Sequence, residues 1–172
     1  MHEVFRKNDT YSNTGDMLKV HEDRWVSFVD RFGDTFRWKG ENVSTLEVEA
    51  ILNSFPAIQN CAVYGAVIPN TEGKAGMAAV TLDSSLKFDI DELSQFVLSS
   101  LPSYSIPIFI RIMEELEMTT SSFKIIKTTL SKEAYDLSVV KNPIYFWDSS
   151  SKKYVPFTNS LYQDLMGGKL RI

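Results

Sequence analysis

Two helical stripes, each stopped by proline and set among short apolar runs, constrain this chain more than any other feature. The first runs over 45–55, opened by Ser44 and stopped by Pro56. Ser44 and Glu47, three residues on, form a capping-box pattern, and Leu46, Ala50 and Ile51, joined by Leu52 and Phe55, predict its apolar face. The second opens at Asp89 with Glu92 as box partner, and Leu93, Phe96, Val97 and Leu101 repeat at helical spacing until Pro102. Between the two stripes, 61–68 and 76–82 read as strands separated by the polar loop 69–74.

The flanking segments complete the pattern. Residues 35–38 predict a short strand between the turns 30–34 and 39–42, a β-ribbon in which Gly33 and Gly40 can take positive φ at little cost. Residues 106–112 are a very apolar strand, placed at a sheet edge by Pro107 or beginning after it. A last helix is expected over 127–135. The order ribbon, helix, strand, strand, helix, strand, helix predicts a small two-layer α/β (α+β) domain, with a three-stranded sheet packed by helices. The first thirty residues read as short strands and turns with too little apolar surface for a core, so they are expected to pack on something larger. The tail alternates apolar runs at 142–147 and 154–157 with the turn 148–153, then a helix capped near Thr158 or Asn159, and is expected to pack rather than trail.

Composition excludes several classes. With 172 residues, 44% hydrophobic and 12% aromatic, the chain has the material for one modest globular domain and some additional segments, and disorder is a poor reading. The net charge of -4 leaves no concentrated basic face, which argues against a nucleic-acid partner. Cys61 is the single cysteine, so no internal disulfide can form, and its apolar neighbours predict a small core residue. One cysteine and two histidines without ligand spacing predict no metal site. No apolar run is long enough to span a bilayer and the first residues lack a signal peptide's apolar centre, so the chain by itself is expected to be soluble.

The chemistry-bearing candidates are few. Asp16 can accept hydrogen bonds from a sugar diol, or cap its own turn. Arg31 offers a five-donor fork to sugar or phosphate oxygens, or pairs at the surface with Asp30 or Asp34. Gly40, between Lys39 and Glu41, allows a long ligand close to backbone, or simply serves a hairpin. Lys124 follows the hydroxyl-rich stretch 118–123 and can carry a point charge on a loop to a negative reacting centre, or remain a solvated surface lysine. Lys127 lies nearby with no better-specified chemistry. No glycine pattern of the GxGxxG or GxxxxGK kind is present.

Three motifs in order give these candidates a context. Tyr11-Ser12-Asn13-Thr14-Gly15-Asp16 resembles the Y-x-x-T-G-D motif of the adenylate-forming, AMP-binding superfamily. The stretch from Asp30 to Thr45, Asp-Arg-Phe-Gly-Asp-Thr-Phe-Arg-Trp-Lys-Gly-Glu-Asn-Val-Ser-Thr, resembles the signature of fatty-acid transport proteins and very long-chain acyl-CoA synthetases. Leu101 to Pro107 together with Thr120 to Lys127 resembles that family's C-terminal lysine region.

The resemblance implies that ATP and a fatty acid give an acyl-adenylate and pyrophosphate, after which coenzyme A displaces AMP. It implies that Asp16 and Arg31 hold the ribose, that Lys124 stabilises charge during adenylation, and that Lys39, Gly40 and Glu41 form the region presented for the thioester step. It divides the chain into a remnant of a large AMP-binding domain (1–30), a hinge (31–34), a mobile catalytic domain (35–137) and a family-type tail (138–172). The family's phosphate-binding loop and acyl tunnel are not in this sequence. ATP, coenzyme A and Mg2+ are therefore implied for a complete enzyme with an N-terminal large domain, with none expected to bind tightly to this chain alone, which is expected to be inactive. Membrane association through an upstream region, at the endoplasmic reticulum, peroxisome or plasma membrane, is likewise implied for the whole protein. The sequence departs from the family's pattern at Arg24, where a turn glycine is common, and at Ser121 and Ser122, where the subgroup has glycine and threonine. Gly33 stands where the wider superfamily has an aspartate or lysine pivot. The alternative is a non-enzymatic binding module of the same descent.

Overall fold

The computed structural model describes residues 5–11, 16–31, 35–118, 125–170 and 172. At its centre lie β5 (Ile58–Ala66) and β6 (Ala75–Leu82), antiparallel strands joined by the polar loop expected between them. Residues 75–81 of β6 are buried without exception, which a strand achieves only when both sheet faces are covered. Beyond β6 come β7 (Phe109–Met113), parallel to it, then β8 (Ile144–Asp148) and β9 (Lys153–Pro156), giving the order β5-β6-β7-β8-β9. The α/β class is as predicted, but the sheet has five strands where three were expected. The tail supplies the additional two.

Three of the four helices begin where the sequence put a cap. Ser44 Oγ accepts the Glu47 N–H at 3.4 Å and opens α1 (Thr45–Asn53). The Asp89 carboxylate accepts from the N–H groups of Asp91 (2.9 Å) and Glu92 (3.3 Å) and opens α2 (Ile90–Ser100). The Thr158 hydroxyl accepts from Leu161 at the start of α4 (Asn159–Met166). By contrast, α3 (Lys127–Glu133) follows Ile126, which provides no side-chain cap.

The buried face of α1 differs from the expected one. Thr45, Val48 and Leu52 are buried, whereas Leu46 and Ala50 are exposed. Thr45 and Val48 are β-branched and were left out of the stripe, yet their spacing to Leu52 is the helical one. Of the two readings for 106–112, a strand beginning after Pro107 holds and an edge position does not. The strand begins after Pro107 and lies inside the sheet, with β6 and β8 on either side, so the missing proline N–H breaks no ladder bond.

Strand alternation assigns the two faces. On one, α1 and α2 pack, with Tyr154 N–H donating to Ser94 Oγ of α2 at 2.9 Å. The same face receives a two-stranded hairpin, β3 (Thr35–Trp38) and β4 (Glu41–Ser44). Its Phe36 rests on Gly65 and Gly76, which face each other across β5 and β6. A Cβ on either glycine would come within 2.8 Å of that ring or its Cβ. On the other face, Phe109 stacks on Tyr135 at 4.5 Å and meets Phe146 and Phe157, which fixes α3 and α4 there. Arg111, only 5% exposed, crosses the same layer to Glu133 of α3 (2.7 Å) and Asn142. Beside it the Tyr64 hydroxyl is buried next to the Arg111 guanidinium, and burial pushes its phenol up.

A separate two-stranded sheet, β1 (Asp16–Val20) and β2 (Val26–Arg31), precedes all this. Leu18, Val20, Trp25 and Val26 on it are more than half exposed, so these four side chains are not part of the core described above.

Candidate functional site

The β1–β2 hairpin brings two of the sequence candidates together. Asp16 and Arg31 are Cα partners at its open end, and only their backbone positions are described. At the closed end the His21 N–H donates to Trp25 O at 2.8 Å and Arg24 takes φ 66°. That left-handed turn accounts for the glycine that the family commonly has there, and Arg24 occupies it at some conformational cost. Residues 32–34 of the expected hinge, including Gly33, lie outside the described residues.

Lys39 and Gly40 form the two-residue turn of β3–β4, both with positive φ (51° and 87°), as a tight hairpin linkage requires. A Cβ on Gly40 would meet nothing within 4 Å, so the turn presents open backbone. Lys39 Nζ lies 5.8 Å from the Trp38 ring centroid, and Trp38 itself is buried. Glu41 starts β4 and is exposed. The hairpin is fastened beside its turn, because the Lys74 N–H donates to Arg37 O at 2.8 Å and Trp38 bridges to Gly73.

Lys124, with Ser121 and Ser122, lies outside the described residues. What bounds that stretch is clear. Met118 and Ile125 form an antiparallel bridge, and the Ile126 N–H donates to Glu117 O at 2.8 Å. Immediately afterwards, Lys127 Nζ sits 2.8 Å from Glu49 Oε1 and donates to Thr45 Oγ1 at 3.1 Å. The same Glu49 oxygen accepts the Val63 N–H at 2.7 Å. Sequence reasoning noted Lys127 but missed this cluster; its signal was a carboxylate on the less apolar side of α1.

Cys61 is 4% exposed, and burial first, then Glu49, pushes its thiol far up, so it is a packing residue and no nucleophile. Tyr135 is pushed up to about 12, first by burial and then by Tyr162, and as a neutral phenol donates to Val67 O at 2.7 Å. Among the described residues no group of three or more His, Cys, Asp or Glu could hold a metal ion. Nor is any helix there long and apolar enough to cross a membrane.

Residues 47–124 match the family of AMP-binding enzyme C-terminal domains. The chain carries that domain. It is 43% identical over 170 residues, 99% of its length, to long-chain fatty acid transport protein 6 of Mus musculus, of which the match spans 27%. To a medium/long-chain-fatty-acid–CoA ligase of Mycobacterium tuberculosis it is 44% identical over 154 residues, 90% of this chain and 26% of that protein. The chain thus spans about a quarter of the length of the curated relatives it matches. Among solved structures, o-succinylbenzoate coenzyme A synthetase of Bacillus subtilis in complex with AMP superposes with a TM-score of 0.56 at 27% identity, covering 72% of this chain and 24% of that one. The matched stretch therefore begins within α1 and takes in β5, β6, α2 and β7, while β3 and β4 precede it and α3, β8, β9 and α4 follow it.

Proposed function

We propose that this chain is the mobile catalytic part of a long-chain or very long-chain fatty acid–CoA ligase that works with a large AMP-binding domain. The observation that supports it best is identity above 40% along nearly the whole chain to both a fatty acid transport protein and a fatty-acid–CoA ligase. In this reading residues 1–30 belong to the large domain, 31–34 are the hinge, 35–137 rotate, and 138–172 complete the rotating body.

The residues divide the chemistry between them. The Asp16 carboxylate accepts from the ribose hydroxyls of ATP and Arg31 donates to the same sugar. Their register partnership at the end of one hairpin favours a shared target. Lys124 brings positive charge to the oxygens on which negative charge grows as the fatty-acid carboxylate attacks the α-phosphorus and pyrophosphate leaves. In the second step the coenzyme A thiol attacks the acyl carbonyl and AMP leaves. The open Lys39-Gly40-Glu41 turn suits the passage of a slender ligand arm, because no side chain stands over Gly40. Rotation between the two arrangements gives one site two sets of surroundings. Mg2+ would accompany the ATP phosphates, and no described residue of this chain is assigned to it. For the whole protein the reading includes fatty-acid uptake and attachment to the endoplasmic reticulum, peroxisomal or plasma membrane.

The test uses the chain alone and a chimera in which residues 1–172 replace the matching quarter of the mouse relative. With ATP, magnesium, coenzyme A and a long-chain fatty acid, the chimera should form acyl-CoA and the folded chain alone should not. Lys124→Ala in the chimera should impair acyl-adenylate formation more than thioester formation from supplied acyl-adenylate. Equal loss in both half-reactions would refute the role given to Lys124. A folded but inactive chimera would favour the non-enzymatic binding module.

A further inference from the structure

The hairpin carrying Lys39 to Glu41 and helix α3, which follows the lysine segment, stand on opposite faces of the sheet, yet the start of α3 is tied to the residue that ends the hairpin. Thr45 directly follows β4, and Lys127 lies two residues beyond the Met118–Ile125 bridge that closes the lysine segment. The Lys127 ammonium reaches Thr45 Oγ1 and Glu49 Oε1 around the outer edge of β5. That edge is unpaired in the sheet, and Glu49 occupies its Val63 N–H at the same time. Thr45 is 1% exposed, so no water can readily replace Lys127 at its hydroxyl.

The need for such a tie follows from α3. Seven residues are too few for a helix to persist without tertiary support, and this one starts without a side-chain cap. Its end is secured by Glu133 to Arg111 and by Tyr135 on Phe109, and its middle by buried Leu130. At its first turn the anchoring side chain is Lys127. Loss of that anchor therefore loosens the start of α3 and the chain just before it, while the sheet and the end of α3 stay in place.

We propose that Lys127, through Glu49 and Thr45, is a positioning residue that fixes where the Lys124-bearing segment leaves the domain relative to the 39–41 hairpin. It is not a catalytic residue. The consequence for catalysis rests on the assignment of Lys124 above; the mechanical role does not. If the enzyme uses the 39–41 hairpin and Lys124 alternately, a rigid link between their points of attachment makes one rotation deliver either in register. A misplacement of a reacting group by about 1 Å is enough to cost on the order of 100-fold in rate.

Two variants separate positioning from simple support. Lys127→Met keeps the apolar stem and removes the charge, and Glu49→Gln keeps an acceptor for Val63 while discharging the pair. Hydrogen exchange on the 172-residue chain should rise within 117–127 in both variants and stay unchanged in β5, β6 and β7. In the chimera, both should lower acyl-adenylate formation by roughly 10- to 100-fold and leave thioester formation from supplied acyl-adenylate within about threefold. Lys127→Arg, which retains the charge and most of the reach, should recover much of the first half-reaction. Exchange rising across the whole sheet, with both half-reactions falling together, would overturn the proposal in favour of general support. Exchange unchanged at 117–127 would overturn it as well. If Lys124→Ala fails to separate the half-reactions while Lys127→Met still opens 117–127, the assignment of Lys124 falls and the mechanical link stands.

Discussion

Replacement of Gly73 by alanine tests how the functional hairpin is seated. Gly73 takes φ +82°, and a Cβ there would lie 2.1 Å from the Arg37 carbonyl oxygen, inside any permissible contact. That carbonyl accepts the Lys74 N–H at 2.8 Å, and Trp38 bridges to Gly73, so displacement of Arg37 undoes the turn end of β3. The left-handed conformation costs alanine about 1–2 kcal/mol. Loss of the carbonyl's hydrogen bond adds about 1 kcal/mol, and the smaller entropy of the unfolded alanine chain returns about 0.4–1 kcal/mol. The net destabilisation is about 1–2 kcal/mol before any loosening of Phe36 and Trp38. Gly40→Ala is the control, because its φ of +87° carries the same conformational cost in open space. It should cost about 0–1.6 kcal/mol, about 1 kcal/mol less than Gly73→Ala. Urea denaturation of the three proteins measures both, and at a slope near 2 kcal/mol/M the Gly73→Ala midpoint should fall by about 0.5–1 M with the slope unchanged. Equal midpoints for the two variants would refute the idea that the Arg37 carbonyl, rather than φ alone, requires glycine at 73.

Two further outcomes are expected. Ala134 follows α3 with φ 44° and ψ -121°, a conformation that strains any residue with a Cβ. Ala134→Gly should raise the urea midpoint by the equivalent of about 0.5–2 kcal/mol after the entropic penalty of glycine, and a lowered midpoint would contradict it. The Asp148 carboxyl is held below its ordinary 3.8 by the Ser151 hydroxyl first (2.6 Å) and then by the Ser150 N–H. A depressed carboxyl contributes stability that is present above the unfolded value and is lost as pH falls through the folded one, so the effect belongs below about pH 4. Ser151→Ala should move the Asp148 titration, followed by NMR, upward toward 3.8 and weaken that acid-range dependence. An unmoved curve would show that the hydroxyl is not the cause.

What the sequence made legible was local. The caps at Ser44, Asp89 and Thr158 depend on residues two or three apart, and the Lys39-Gly40 turn on two neighbours, so the chain alone specifies them. What it concealed depended on partners far along the chain. Pro107 left open an edge strand or a start after it, and only the pairing of β8 on the far side of β7 decides for the interior. Arg111 sat unnoticed in an apolar run, since only the fold brings Glu133 and Asn142 to it. The tail's apolar runs announced that it would pack, not which edge it would extend. For the site, Asp16 and Arg31, the pair proposed to hold ribose, were legible as two motifs and became a register partnership only in the hairpin. Lys127 was indistinguishable from any surface lysine, because Thr45 lies 82 residues away in the chain.

The two edges of the sheet explain why residues beyond the matched family stretch belong to the same working body. At one edge, Glu49 and Lys127 cover the exposed backbone of β5 and link α1 to the start of α3. At the other, β8 and β9 pair onto β7, and their Phe146, together with Phe157, meets Phe109, the residue on which Tyr135 stacks just past the end of α3. The short helix is therefore gripped at its start from the hairpin side and past its end from the tail side. Neither grip alone fixes its direction, because a seven-residue helix held at one end can pivot about that end. In the proposed reading, residues 125–170 thus steady the chain where it leaves the lysine segment at Ile125, although they contribute no group to the proposed chemistry. A loss of tail packing would reach the first half-reaction through α3 before it reached the 39–41 hairpin, whose own seat on Gly65, Gly73 and Gly76 does not involve the tail.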